Sequence, residues 1–401
     1  MIPRFAPRLK GRELACALRP APRDAIERFE AGLAETFEQR EGVMFPYGRT
    51  GLMLLLEAMG LDGHEVICPA YTCVVVPHAI VHSGNEPVFV DSADDSFNMD
   101  LDAAEAAITE RTGAIIPTSI FGYPVDLDRL EQIRARHPHV QVIQDCAHSF
   151  RARWNGRAVC PAGDAAIVGL NVSKIITSIF GGMVTTDDPE LAARLRTVRD
   201  QRVHRSTMLK SLRRRLYLLA VAPALSQAGF GFVDRLARLG WLNHFVKYYD
   251  ESVIDMPADH LDGVTPFEAS VGLEQLERYD PIIATRRERA RQYDEGLAGL
   301  EALVRPPLVD GATYSHYVPL CARRDEVITA ARARGVQLGN LIEYVVPTMA
   351  SYAERRSGAQ AFPNTERYAA EALNLSVCVD HRGGERVLAA VRDAVDEVYR
   401  R

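Results

Sequence analysis

Asp145 and Lys174 are the two residues whose surroundings most suggest chemistry. Lys174 closes Gly169-Leu170-Asn171-Val172-Ser173-Lys174 and precedes Ile175-Ile176. A lysine in a loop is ordinarily a solvated charge. Here apolar residues on both sides predict an enclosed stem. Taking an ammonium out of water lowers its pKa and leaves an amine that can attack a carbonyl. Asp145 ends an apolar run in Gln144-Asp145-Cys146-Ala147-His148. Alone, that stretch reads equally well as a helix N-cap beside a polar loop histidine. Together the two residues match what pyridoxal 5′-phosphate (PLP) chemistry needs. An amine forms a Schiff base, and an acid keeps the pyridine nitrogen protonated so that the ring can draw electrons from a substrate α-carbon.

A phosphate cradle is the third part. Gly48-Arg49-Thr50-Gly51 directly precedes the apolar run Leu52–Met59. Amides at a helix start, with a hydroxyl and a guanidinium nearby, suit a phosphate. Taken alone, the tetrapeptide is better explained as a plain turn with an N-cap. His78 reads as a core histidine. Tyr71 reads as a pocket-lining or a buried structural tyrosine.

The elements that must position these residues alternate. Strand-like runs at 65–68, 87–90, 114–117 and 140–145 are separated by helix-like runs at 74–82, 101–109 and 127–136. Helices are expected at 22–40 and 50–59 as well. Short apolar strands between helices predict an α/β fold with a mostly parallel sheet covered on both faces, whose ligands gather at the carboxyl ends of the strands. Two further strands, 164–170 and 182–186, should flank the Lys174 loop, and a helix should start at Pro189. Residues 208–249 read as an inserted helix or helix pair, and 267–300 as one long helix kinked near Pro281. The division expected is a large domain over 1–250 and, over 251–401, the long helix with a small C-terminal α+β domain.

Composition narrows the function classes. The 47 basic and 53 acidic residues are intermixed, for a net charge of −6, so no basic field points to nucleic acid. Seven cysteines, an odd number with no C-x-x-C pair, argue against a disulfide framework or a zinc site. No metal is expected, and a reducing cytoplasm fits best. The N-terminus lacks the sustained apolar run of a secretory signal.

From about residue 40 onward the chain resembles the DegT/DnrJ/EryC1/StrS family of sugar aminotransferases, which are fold-type-I PLP enzymes. The match is carried by residues 48–52 (GRTGL), 64–72 (HEVICPAYT), 142–149 (VIQDCAHS), and NVSK at 171–174 followed by GGMVTT at 181–186. Residues 334–339 and 362–367 are similar to that family's small domain. The resemblance implies that Lys174 is the Schiff-base lysine and proton carrier, and that Asp145 partners the pyridine nitrogen. It places His148 beside the ring hydroxyl and Arg49 and Thr50 at the phosphate. Cys73 and Asn171 fall at cofactor-contacting positions, and Glu343 and Tyr344 near the substrate.

Three positions depart from the pattern. Gly169 stands where a phosphate-binding Ser is usual, and Cys73 where an aromatic ring stacks on the cofactor. Residues 259–263 (DHLDG) lack the Asn sent to a partner subunit's phosphate, and His260 is the candidate substitute. The activity implied is transfer of an amino group, from L-glutamate, to a keto group on a nucleotide-linked sugar, by a homodimer. A non-sugar or lipid-linked keto substrate is the alternative, and a non-catalytic family member a further one. Arg213-Arg214-Arg215, ahead of an apolar run, could touch a membrane surface; packing within a dimer or over the pocket mouth accounts for it better.

Overall fold

A computed structural model of the chain describes residues 1–5, 7–239, 250–355 and 361–400. At its centre lie strands β1 (Glu41–Phe45), β2 (Glu65–Pro69), β3 (Glu86–Val90), β4 (Thr112–Ile115) and β5 (Gln141–Asp145). A small ribbon, β6 (Arg153–Trp154) with β7 (Arg157–Ala158), stands apart, and β8 (Ala165–Gly169) and β9 (Gly182–Thr186) complete the main sheet. The strand order is β1-β9-β8-β5-β4-β2-β3. Every pairing is parallel except those of β9, which runs against both of its neighbours. Continuous apolar strands such as Val66-Ile67-Cys68 are buried on both faces, as a helix-covered parallel sheet requires.

Aspartates start three of the helices around the sheet. Asp100, Asp126 and Asp188 each accept two backbone N–H groups from the first turn of the helix that follows. The helix Gly48–Ala58 is different. Leu52 through Leu56 are all buried, so it lies inside the molecule between the sheet and its neighbours.

The long helix expected over 267–300 is two helices, Pro266–Leu276 and Tyr279–Gly296. The break falls at Glu277-Arg278. Pro281 sits in the first turn of the second helix, where its missing N–H costs nothing, while its ring would clash with a carbonyl one turn earlier in a continuous helix. The insert forms helices Met208–Ala224 and Gln227–Arg238; the remainder expected at 240–249 lies outside the described residues. Toward the C-terminus, helices Arg324–Ala333, Pro363–Glu371 and His381–Tyr399 are joined by isolated bridges, Tyr317 to Leu375 and Gly339 to Asn374 among them. The expected boundary at residue 250 adjoins the undescribed stretch, and we keep the two-domain division as a proposal.

An N-terminal segment not anticipated as structure is built in. Ile2 is fully buried and bridges Val336, and helix Gly11–Leu18 packs on Pro266–Leu276. Asp91, just beyond β3, accepts the Thr365 N–H at 2.8 Å and the Thr365 hydroxyl at 2.7 Å, capping helix Pro363–Glu371 from a distant part of the chain.

Candidate active site

Asp145 is the last residue of β5 and is buried. Its carboxylate accepts the Ala147 N–H at 3.0 Å and the Thr118 hydroxyl at 3.3 Å. Burial raises its pKa; the Ala147 amide, the Lys174 charge and the Thr118 hydroxyl pull the other way. Those opposing groups favour the ionised form.

Lys174 projects from the loop between β8 and β9. Asn171 organises that loop: its carboxamide oxygen accepts the Ser173 N–H at 3.0 Å and the Ser173 hydroxyl at 2.6 Å, and its carbonyl accepts the Lys174 N–H at 3.0 Å. Thr177 ties the far side down by donating to the Leu170 carbonyl at 2.9 Å and accepting the Ile179 N–H at 2.8 Å. Burial lowers the Lys174 pKa, with Cys73 and Asp145 opposing. Lys174 is half-buried rather than fully enclosed, and its charge lies within electrostatic reach of Asp145. Gly169 also has a physical reason here. A Cβ on it would lie 3.1 Å from Lys174 Cε, so the lysine stem rests where a serine side chain would begin.

His148 lies under Phe121, with ring centroids 6.0 Å apart and planes at 15°. The Phe121 N–H donates to His148 Nδ1 at 3.4 Å, which places the proton of the neutral ring on Nε2. Burial, then Lys174 and His316, depress its pKa well below the usual imidazole range. His316 is a site residue that sequence reasoning missed. Burial, Arg286, Arg4 and Lys174 push its pKa down to about 3. It comes from a loop distant in sequence, and no spacing links it to Asp145 or Lys174.

The helix starting at Gly48 abuts the same strand ends. A Cβ on Gly182 would lie 2.3 Å from Gly48 Cα, and one on Gly48 3.3 Å from the Val168 carbonyl. Glycine at 182 is what allows this approach, while a side chain at 48 would only be a tight fit. No side chain caps the helix at Tyr47, and its first intrahelical bond is Gly51 N–H to the Tyr47 carbonyl. The amides before Gly51 are thus open to an anion. Arg49 is partly exposed at this end. Thr50 is turned differently from expectation: it is fully buried and donates its hydroxyl to the His260 carbonyl at 2.9 Å. His260 turns its own Nδ1 onto the Pro257 carbonyl at 2.7 Å.

The remaining candidates separate. Cys73 is half-buried and near enough to Lys174 to influence its charge. Tyr344 accepts the Val74 N–H at 3.4 Å, next to Cys73, whereas Glu343 is exposed and accepts from the Asn340 carboxamide. Tyr71 is fully buried among Phe97, Phe121 and Tyr368, a core position. His78 is also buried, beside Asp255 and stacked on Tyr352.

Comparison with known proteins decides what this geometry serves. The profile of the DegT/DnrJ/EryC1/StrS aminotransferase family matches residues 23–226 and 263–392. The chain belongs to this family. A dTDP-3-amino-3,4,6-trideoxy-alpha-D-glucose transaminase of Micromonospora megalomicea subsp. nigra is 28% identical over 382 residues, 92% of this chain and 90% of that one. GDP-perosamine synthase of Caulobacter vibrioides is 30% identical over 322 residues, 78% and 74% of the two chains. The crystal structure of the aminotransferase TlmJ from Streptoalloteichus hindustanus aligns over all of both chains with a TM-score of 0.77 and 25% identity.

The aminotransferase is a PLP-dependent, fold-type-I enzyme. Its own residues fit the cofactor. A buried carboxylate with lone pairs to spare, a half-buried amine and an uncapped helix N-terminus converge on the ends of β5 and β8. The buried Thr72 hydroxyl, without a partner among the described residues, adds an available polar group next to Cys73.

Proposed function

We propose that this aminotransferase moves an amino group from L-glutamate to a keto group on a nucleotide-linked sugar. The observation that carries the chemistry is the placement of the half-buried Lys174 at the end of β8, next to the β5 end that carries the buried Asp145 carboxylate. The nucleotide-sugar acceptor is supported by the names of the two relatives above. The donor rests on the family resemblance, as does assembly into a homodimer in the cytoplasm.

When bound, PLP carries the amino group and stabilises negative charge at the carbon that loses its proton. The chain's residues do the rest. Lys174 would hold the cofactor, and its lowered pKa suits the free amine to act as a base at the donor α-carbon. Asp145 would pair with the pyridine nitrogen and favour a proton there. His148, neutral with its proton on Nε2, offers a donor to the ring oxygen. The Gly48–Thr50 amides and Arg49 would receive the phosphate; with the Thr50 hydroxyl donated to the His260 carbonyl, the backbone would supply the contact at that residue. Lys174 then delivers a proton to the carbon that receives the amine.

The test is a panel of keto acceptors offered to PLP-loaded protein with L-glutamate. Amination of a nucleotide-linked keto sugar supports the reading. Turnover confined to acceptors without a nucleotide, or to lipid-linked ketones, refutes the acceptor class.

A further inference from the structure

The inserted helix Met208–Ala224 is amphipathic with its apolar side turned outward. At 100° per residue, Met208, Leu219, Leu212, Leu216 and Leu209 fall in that order within an arc of about 100°. Their exposures are 91%, 39%, 53%, 58% and 56%. The opposite side is committed to the protein. Lys210 donates to the Asp262 carbonyl at 2.6 Å, Arg214 lies 3.6 Å over the Phe180 ring, and Leu218 is buried. A surface helix ordinarily faces its apolar stripe to the core. The next helix, Gln227–Arg238, carries Phe232 at 67% exposure, and Leu239 beyond it is 63% exposed.

Charge follows the same segment. In a chain of net charge −6, residues 202–239 hold eight Lys and Arg against one acid. That acid, Asp234, is buried and paired with Arg332. Arg205, Arg213 and Arg235 are exposed and pair with no described carboxylate. Among the described residues no single helix is long and apolar enough to cross a membrane, and the two helices meet at 98°.

We propose that this face seats the enzyme on an anionic phospholipid surface. The apolar arc enters the acyl boundary while Arg213, flanking it on the same helix, meets lipid phosphates, with the exposed Arg205 and Arg235 adding positive charge to the segment. A second protein copy could cover the apolar arc, but the excess of basic over acidic residues in this segment of an otherwise acidic chain favours an anionic layer. The inner side of the same helix grips Phe180, in the loop that holds Lys174, so the active site rides directly on the docked element.

The test is flotation of PLP-loaded, full-length protein with phosphatidylcholine vesicles, with and without phosphatidylglycerol. The protein is expected to float with the anionic vesicles and to be released by salt. Leu212→Glu with Leu216→Glu should lower partitioning by more than about tenfold, and Arg213→Gln by about fivefold. Transamination of a soluble substrate and the mass by light scattering should be unchanged in both variants. Failure to float, or flotation indifferent to both variants, overturns the proposal. A lower mass for the double variant would also overturn it, assigning the face to contact between copies. Because soluble turnover is measured separately, loss of docking is distinguishable from loss of the catalytic reading.

Discussion

At the scale of single residues, the account rests on Lys174. Lys174→Ala should lower transamination by about 10²–10⁴-fold and abolish covalent retention of PLP, checked by borohydride reduction and mass spectrometry. His316 gives a pH signature. Its folded pKa of about 3 lies below the ~6.5 of an unfolded histidine. The unfolded chain then binds more protons, so stability falls as pH drops through that window. By about pH 5 the His316 contribution is a loss of ~2 kcal/mol. Depressed His148 acts in the same direction, and Asp145, with its raised pKa, in the opposite one. Comparing urea midpoints of the wild type and His316→Gln at about pH 7 and about pH 5 isolates the term: the variant should lose less stability on acidification. Lys174 and Asp145 were legible because each sits at the edge of an apolar run. His316 was not, because burial by groups from distant loops leaves no local pattern. The partner of the Thr50 hydroxyl was not legible either, because it is a carbonyl far along the chain.

Among elements, period and punctuation served well where a segment is decided locally. The strands around Asp145 and the helix from Pro189 form as their patterns require. The break at Glu277-Arg278 shows the limit: proline marks the start of the second helix, and the disruption appears ahead of it. The contact between the Gly48 turn and β9 also escapes the sequence, yet it has a sharp consequence. Gly182→Ala would put a methyl 2.3 Å from Gly48 Cα, and should cost about 1–3 kcal/mol while weakening PLP affinity; denaturation and cofactor titration measure both. Arg214 ties three elements together. It donates to Asp259 at 2.9 Å, approaches Glu268 at 3.3 Å, and stacks on Phe180. Arg214→Met removes the nearer of the two cations that act on the buried Glu268, Lys210 being the other, and should cost about 2 kcal/mol in chemical denaturation. PLP binding should weaken with it, because Tyr47 and Phe180 lose a common support.

At the scale of the whole molecule, the parallel sheet places the carboxyl ends of β2, β4, β5 and β8 on one side, and the site collects there. That much follows from alternating strands and helices. The insert does not follow from them: its arginines were visible in the sequence, but the outward turn of its apolar arc is decided by Lys210, Arg214 and Leu218, which occupy the inner side. The proposed homodimer predicts twice the 44.4 kDa chain mass by light scattering, and a stable, active monomer would contradict it. The central claim, that Lys174 and Asp145 operate a transaminase site, is tested most directly by one single-turnover measurement. PLP-loaded enzyme is mixed with L-glutamate in the absence of any acceptor, and the 2-oxoglutarate released is counted. The account predicts stoichiometric release from the wild type, one for each cofactor bound. No release from fully loaded wild-type protein, or equal release from Lys174→Ala, would contradict it.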